Sequence, residues 1–264
     1  MVKPAIKVTN LWQAHGARWI LRDVTFEVQP GEIAVLTGVN GVGKTTLLTT
    51  IAGMKSAAKG SVSVFGHLRR DDPDEERNAR RCTVYLPDDA WLPPNMTLQE
   101  YLAAAGSLFE VDAADLPDRI DALLSLFALA QSRNQSVSSL SAGQRKKAGL
   151  ASALLADRQL LLLDEPFSGG LDPAGMMAVR RVLKYRAEHS GQTVLMTTPV
   201  TELVTELADR LLVLRDGELA YNLTRAEILN SVPEGATVSE WLEALVFPNV
   251  HEQVDNFIEM MPMV

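Results

Sequence analysis

The sequence predicts an α/β fold with a helical insertion, and three observations carry that prediction. Strand-like and helix-like segments alternate near both ends of the chain. A block of helical periodicity, from about Thr97 to Ala156, lies between them. A glycine-rich loop, Gly38 to Thr46, joins an apolar strand to a helix. The 264 residues suffice for one large domain, or one domain plus a small lobe.

Taken in order, residues 5–36 hold three short strands, "IKVTNLW", "DVTFEVQ" and "EIAVLT", with "QPGE" as the turn between the last two. "KTTLLTTIAGM" reads as a helix with Leu47, Leu48, Ile51 and Ala52 on one face and Gly53 at its C-cap. "GSVSVFG" is a further strand, the mixed charges from Arg69 to Arg81 a solvated helix or loop, and "TVYL" a buried strand. "LQEYLAAAGSLF" and "LPDRIDALLSLFAL" are amphipathic helices. "QLLLLDEP" returns to buried strand, "RRVLKYRAEHS" to helix, "TVLMTT" to strand, and "RLLVLRDGELA" to a hairpin. Near the end, "TVSEWLEALV" places Trp241, Leu242, Leu245 and Val246 on one helical face. The last stretch, "DNFIEMMPMV", is expected to pack on the core, with dimer or partner contacts as the alternative.

Composition excludes several classes. Hydrophobic content of 47% and charged content of 22% are ordinary for a soluble globular chain. A net charge of −8 argues against a nucleic-acid partner bound through a broad basic surface. The single cysteine, Cys82, excludes an intramolecular disulfide and a CxxC metal site. No signal-peptide-like start and no apolar run near the ~20 residues of a membrane span are present, so the chain is expected to be soluble and to reach a membrane only through a partner.

The strongest motif is "GVNGVGKTT", which satisfies G-x-x-x-x-G-K-[ST] with Gly38, Gly43, Lys44 and Thr45. Glycines let backbone N–H groups close around phosphate oxygens, and the helix dipole points at the same anion. Asn40, Gly41, Val42 and Thr46 complete the candidate cradle. Lys44 can reach the β- and γ-phosphates and Thr45 can ligate Mg²⁺. A second motif, "LLLLDEP", ends a buried strand in Asp164 and Glu165. Asp164 can hold Mg²⁺ through water, and Glu165 can act as general base on an attacking water. Taken alone, such a pair would more often be ordinary surface acids at a strand end. Between them, "LSAGQ" at 140–144 starts an apolar helix with Ser141 as N-cap, a second anion site beside Arg145, Lys146 and Lys147.

These motifs, with Leu171 and Asp172, give the chain a specific resemblance to the nucleotide-binding subunit of ATP-binding cassette (ABC) transporters, most closely the exporter-type stand-alone subunits. The resemblance covers roughly residues 5–220. It implies a P-loop NTPase core of mixed sheet with flanking helices, an antiparallel β lobe and a helical subdomain at about 97–156. The cassette would span 1–230, followed by a helical extension over 231–264. It further implies ATP and Mg²⁺ as ligands and a dimer, with itself or with a second ABC ATPase. There, Ser141 and Gly143, with Gln144 beside them, would face ATP held by the opposite subunit, and Asp172 would communicate across the interface. A transmembrane permease would be the partner, with the chain on the cytoplasmic side of the membrane.

Four positions depart from the family pattern. His15 with Gly16 stands where an adenine-stacking Tyr-Gly is usual; Trp12 and Trp19 are nearby alternatives, better read as core. Asp88 replaces the glutamine that helps hold Mg²⁺, and could reach the metal through water. The adjoining Trp91, Leu92 and Met96 suit either a docking surface or a buried loop. "EPFSGGLDP" carries one residue more than the pattern, with Gly169 and Gly170 adjacent. Pro199 occupies the place of the switch histidine; it has neither side-chain donor nor N–H, and only the Thr198 hydroxyl lies close in sequence. Slow hydrolysis is the expectation, coupled to transport. The alternatives are an ATP-dependent dimerisation switch with negligible turnover, or a soluble ABC ATPase outside transport.

Overall fold

The computed structural model describes residues 3–247, 256–258 and 260. Two sheets organise it. A four-stranded antiparallel sheet of order β2-β1-β4-β5 is built from β1 (Ile6–His15), β2 (Arg18–Val28), β4 (Lys59–Val64) and β5 (His67–Leu68). A six-stranded sheet has the order β10-β9-β3-β8-β7-β6. Its members are β3 (Ile33–Thr37), β6 (Thr83–Leu86), β7 (Leu160–Leu163), β8 (Thr193–Thr197), β9 (Arg210–Arg215) and β10 (Glu218–Thr224). Neighbours are parallel except β9 with β10, which close the hairpin read from the sequence.

The central strands are apolar without alternation because both of their faces are covered. Successive side chains still point to opposite sides, and they feed two different cores. Ile33 and Val35 of β3, with Leu161 and Leu163 of β7, belong to the core under the helical region. Ala34 and Leu36, with Leu160 and Leu162, belong to the core shared with α1 (Lys44–Ile51) and the antiparallel sheet. The helical region holds α3 (Leu98–Leu108), α4 (Leu116–Leu126) and α5 (Ala142–Leu155). Thr97 opens α3 with a reciprocal capping box to Glu100. The remaining helices are α2 (Pro73–Arg81), α6 (Pro173–Ser190), α7 (Thr201–Leu207), α8 (Arg225–Ser231) and α9 (Val238–Val246).

In α1, Leu47, Leu48 and Ile51 are fully buried, and Gly53 follows the last turn with a left-handed φ of 79°. In α9, Leu242 and Val246 are buried, with Trp241 and Leu245 packed partly beneath them. Three expectations need correction. Trp12 and Trp19 join neither core: they meet edge-on at 5.3 Å, Trp19 is 43% exposed, and the Lys59 ammonium lies over both rings. The expected packing of the tail is not seen where it is described, because Phe257, Ile258 and Met260 are exposed, while the rest of that stretch lies outside the described residues. The charged stretch before α2 is not uniformly solvated. Arg69 is buried and donates to the Ile51 carbonyl at 2.8 Å and to Thr83 Oγ1 at 3.0 Å, tying the end of α1 to β6.

Arg69→Met leaves the Ile51 carbonyl without that partner. An unsatisfied buried acceptor costs about 2 kcal/mol, or roughly 4–8 °C in thermal midpoint for a chain of this size. Thermal unfolding of the variant against the native chain checks this.

Candidate functional site

The C-terminal ends of β3, β7 and β8 lie side by side, because these strands are parallel neighbours through β8. Ligands collect at such strand ends in open α/β sheets. The loop leaving β3 turns back at once into α1, with Gly38 at φ 147°, Gly41 at 79° and Gly43 at 116°. At Gly43 a Cβ would stand 2.8 Å from Leu21 Cδ2, so side-chain space and backbone angle both demand glycine. Lys44 is 7% exposed and donates to the Gly38 carbonyl at 2.8 Å and the Val39 carbonyl at 3.3 Å. Burial pushes its pKa down, and the nearby Glu165 and Asp164 carboxylates oppose that shift. The phosphate loop's lysine and the two acids of "LLLLDEP" therefore share one electrostatic neighbourhood. Thr45, at the first turn of α1, is exposed, and its hydroxyl has no partner among the described residues.

At the end of β7, Asp164 is 3% exposed and accepts a 2.6 Å bond from Thr197 Oγ1. The Glu165 N–H donates to the same Thr197 Oγ1 at 2.8 Å. Glu165 itself has φ 45°, a left-handed conformation that is unusual for a side-chain-bearing residue. Thr197 went unremarked in the sequence, where it is one more residue of an apolar strand.

"LSAGQ" opens α5 with a full capping box: Ser141 Oγ accepts from Gln144 N, and Gln144 Oε1 accepts from Ser141 N. The Gln144 amide also donates to Ser132 Oγ at 3.1 Å, so this side chain is used within the chain at both ends. Ser141 is exposed. Gly143 faces the loop lengthened by one residue: a Cβ there would come 2.6 Å from the Gly170 carbonyl oxygen. Gly169 and Gly170 both take left-handed φ, 72° and 82°. Asp172 N-caps α6, accepting from Gly175 N at 2.7 Å. Lys147 binds its other oxygen at 2.7 Å.

Asp88 lies in the loop after β6. Its Oδ1 accepts from Lys146 Nζ at 3.0 Å and from Ser168 Oγ at 2.7 Å. Burial alone would raise its pKa, but the bonds from Ser168 and Lys146 outweigh it and hold the carboxyl low. Asp88, a candidate Mg²⁺ ligand by resemblance, thus has its Oδ1 engaged by α5 and by the lengthened loop. Of its neighbours, Trp91 is 79% exposed while Leu92 is buried. Pro199 is exposed beyond β8, and the Thr198 hydroxyl accepts from Val200 N within the same turn.

A cavity of about 400 Å³ adjoins the phosphate loop, lined by Asn40, Gly41 and Val42 and by Arg18, Ile20 and Arg22 of β2. His15 is exposed and pairs with Arg18 across the β1–β2 hairpin, one step from that lining. Strand alternation gave no hint that Arg18 and Ile20 would face the loop. Among the described residues, no group of three or more His, Cys, Asp or Glu side chains could hold a metal. Thr45 and Asp164 instead offer a hydroxyl and a carboxylate, hard oxygen donors that fit Mg²⁺, which takes few protein ligands beside substrate phosphates.

The family model described as ABC transporter matches residues 21–168. An uncharacterized ABC transporter ATP-binding protein of Synechocystis sp. is 33% identical over 213 residues, covering 80% of this chain and 58% of that protein. The chain thus spans less than two thirds of that relative. Nod factor export ATP-binding protein I of Rhizobium leguminosarum is 33% identical over 213 residues, 81% of this chain and 67% of that one. SkfA peptide export ATP-binding protein SkfE of Bacillus subtilis is 29% identical over 241 residues, 91% of this chain and 95% of that one. A solved structure described as the ATP binding subunit of an ABC transporter superposes with TM-score 0.81 and 28% identity, covering 90% of this chain and 98% of that one. A dimeric cassette in a post-hydrolysis state bound to ADP and Pi superposes with TM-score 0.74 at 23% identity and supports the fold alone; the match covers 83% of this chain and 98% of that one.

The Asp88–Lys146 pair makes a pH-dependent prediction. A carboxyl whose pKa is lower in the folded chain than in the unfolded one adds stability at neutral pH, and that contribution fades as pH falls through the lowered value. Lys146→Gln is therefore expected to lower the urea midpoint at pH 7. Its deficit against the native chain should shrink in acid, below the ordinary carboxyl pKa of 3.8.

Proposed function

The chain belongs to the ABC transporter family, and on that premise we propose that it binds and hydrolyses ATP to power a membrane transporter. The observation that carries this reading is the placement of the phosphate loop, leaving β3, and of Asp164 and Glu165, at the end of β7, at the same edge of the parallel sheet on either side of β8. In this reading the loop from Gly38 to Thr46 wraps the phosphates and Lys44 neutralises the β- and γ-oxygens. Mg²⁺, held by Thr45 and Asp164, supplies charge stabilisation on the phosphates when bound. Glu165 takes a proton from water as that water's oxygen attacks the γ-phosphorus, and ADP leaves with the electron pair of the broken bond.

A lone chain leaves Ser141 and the N-terminus of α5 exposed, which supports a second cassette, identical or related, completing each site. Among the described residues no helix is long and apolar enough to cross a membrane, so work on a membrane calls for a permease partner on its cytoplasmic face. A groove of about 1110 Å³ between the core and the helical region would suit such docking, with Met54 and Leu108 exposed and Arg77 and Arg81 beside them. The names of the Nod factor and peptide export relatives favour export. Turnover is slow in this reading, since a missing preorganised donor at a catalytic site costs about 10²–10³ in rate. The competing reading, a dimerisation switch with negligible hydrolysis, draws on Pro199 and on an Asp88 already bound to Lys146.

Steady-state turnover with Mg²⁺ across a range of protein concentrations separates them. Native turnover is expected above a Glu165→Gln background and to rise about 10-fold or more in Pro199→His. Lys44→Ala should lose ATP binding. No native turnover above that background, alone or with the permease present, alongside ATP binding, would favour the switch.

A further inference from the structure

We infer that Thr197 is a positioning residue for ATP hydrolysis, fixing with one hydroxyl both the metal-facing carboxylate of Asp164 and the backbone of Glu165; this rests on the hydrolase reading above. A hydroxyl has one proton to give. An ionised carboxylate only accepts, so the 2.6 Å contact to Asp164 Oδ1 takes that proton. The lone pairs that remain receive the Glu165 N–H at 2.8 Å. Both directions are thereby set, and Thr197 is completely buried, so water cannot substitute for either partner.

Strand register makes this contact possible. Leu163 of β7 pairs with Met196 of β8, and the next residue on each strand is Asp164 and Thr197. With Oδ1 held, Asp164 keeps Oδ2 for the metal. At Glu165 the bond steadies a left-handed residue, a strained conformation that persists only where its surroundings enforce it. Proline at 199 supplies no donor, and the Thr198 hydroxyl is turned to Val200 N. That leaves Thr197 as the hydroxyl from this strand end that reaches the acids.

The test compares native chain, Thr197→Val, which keeps the shape without the hydroxyl, and Thr197→Ser, which restores it. Two readouts are taken: turnover against MgATP, and the Mg²⁺ dependence of ATP binding beside binding without metal. Partners of a metal ligand typically contribute 10- to 100-fold to metal affinity or activity. Thr197→Val should lower kcat by about 10- to 100-fold and raise the Mg²⁺ half-saturation several-fold, with metal-free ATP binding unchanged and Thr197→Ser within about threefold of native. Equal behaviour of the two variants would overturn the inference. So would an equal loss of metal-free binding in Thr197→Val, which marks general damage. Should Thr197→Val not fold, Thr197→Ala takes its place. Native turnover no higher than that of Glu165→Gln would sink the hydrolase reading by itself, and the Mg²⁺ dependence would still decide whether Thr197 positions Asp164.

Discussion

The site depends on a positive charge held almost out of water. Lys44 is tolerated there because two carbonyls of its own loop and the carboxylates of Asp164 and Glu165 compensate it. A buried ammonium without such company would lose its proton or destabilise the fold. The requirement explains much of the surrounding architecture. The loop glycines bring carbonyls within reach, and the parallel order of β3, β8 and β7 brings the acids to the same edge. The two carbonyls of Gly38 and Val39 hold that ammonium in one orientation.

Two further nearly buried lysines sit at the edge of the site. Lys146 and Lys147 are consecutive on α5, yet each leads to a different loop, one to Asp88 after β6 and one to Asp172 before α6. The start of α5 is thus fastened to both loops that border the acids. Ser168 and Gly170 of the lengthened loop join the same cluster, through the Asp88 carboxylate and the close approach to Gly143. The extra residue does not dislodge Asp172, which still caps α6. The left-handed conformations of Gly169 and Gly170 are consistent with absorbing the added length.

Features carried by local pattern were legible in the sequence. The alternation of elements, the phosphate loop and the Ser141 cap each depend on residues within a few positions of one another, and each is in place. What escaped depends on how elements distant in sequence come together. Thr197 and Asp164 are 33 residues apart, and Lys146 and Asp88 are 58 apart. No periodicity encodes such pairs. The tryptophans misled for a different reason: their size suggested a core, but they sit toward the turn of the β1–β2 hairpin, where Lys59 covers both rings instead of a second layer.

The placement of β3 has a consequence for how the chain acquires its shape. The strand appears early, at Ile33–Thr37, yet its two partners in the sheet are β8 and β9, at Thr193–Thr197 and Arg210–Arg215. Pairings this remote in sequence form slowly, because a long loop must close before any contact rewards it. During synthesis the phosphate loop emerges long before anything exists to flank its strand. A β3 that is apolar in four of its five residues must wait with both edges bare until β8 is made, and with one edge bare until β9 follows. Such edges invite association with other chains. Ribosome-bound intermediates of this chain would therefore be candidates for chaperone capture, and a product cut short before β8 would carry the glycine-rich motif while lacking the neighbours that turn it into a site.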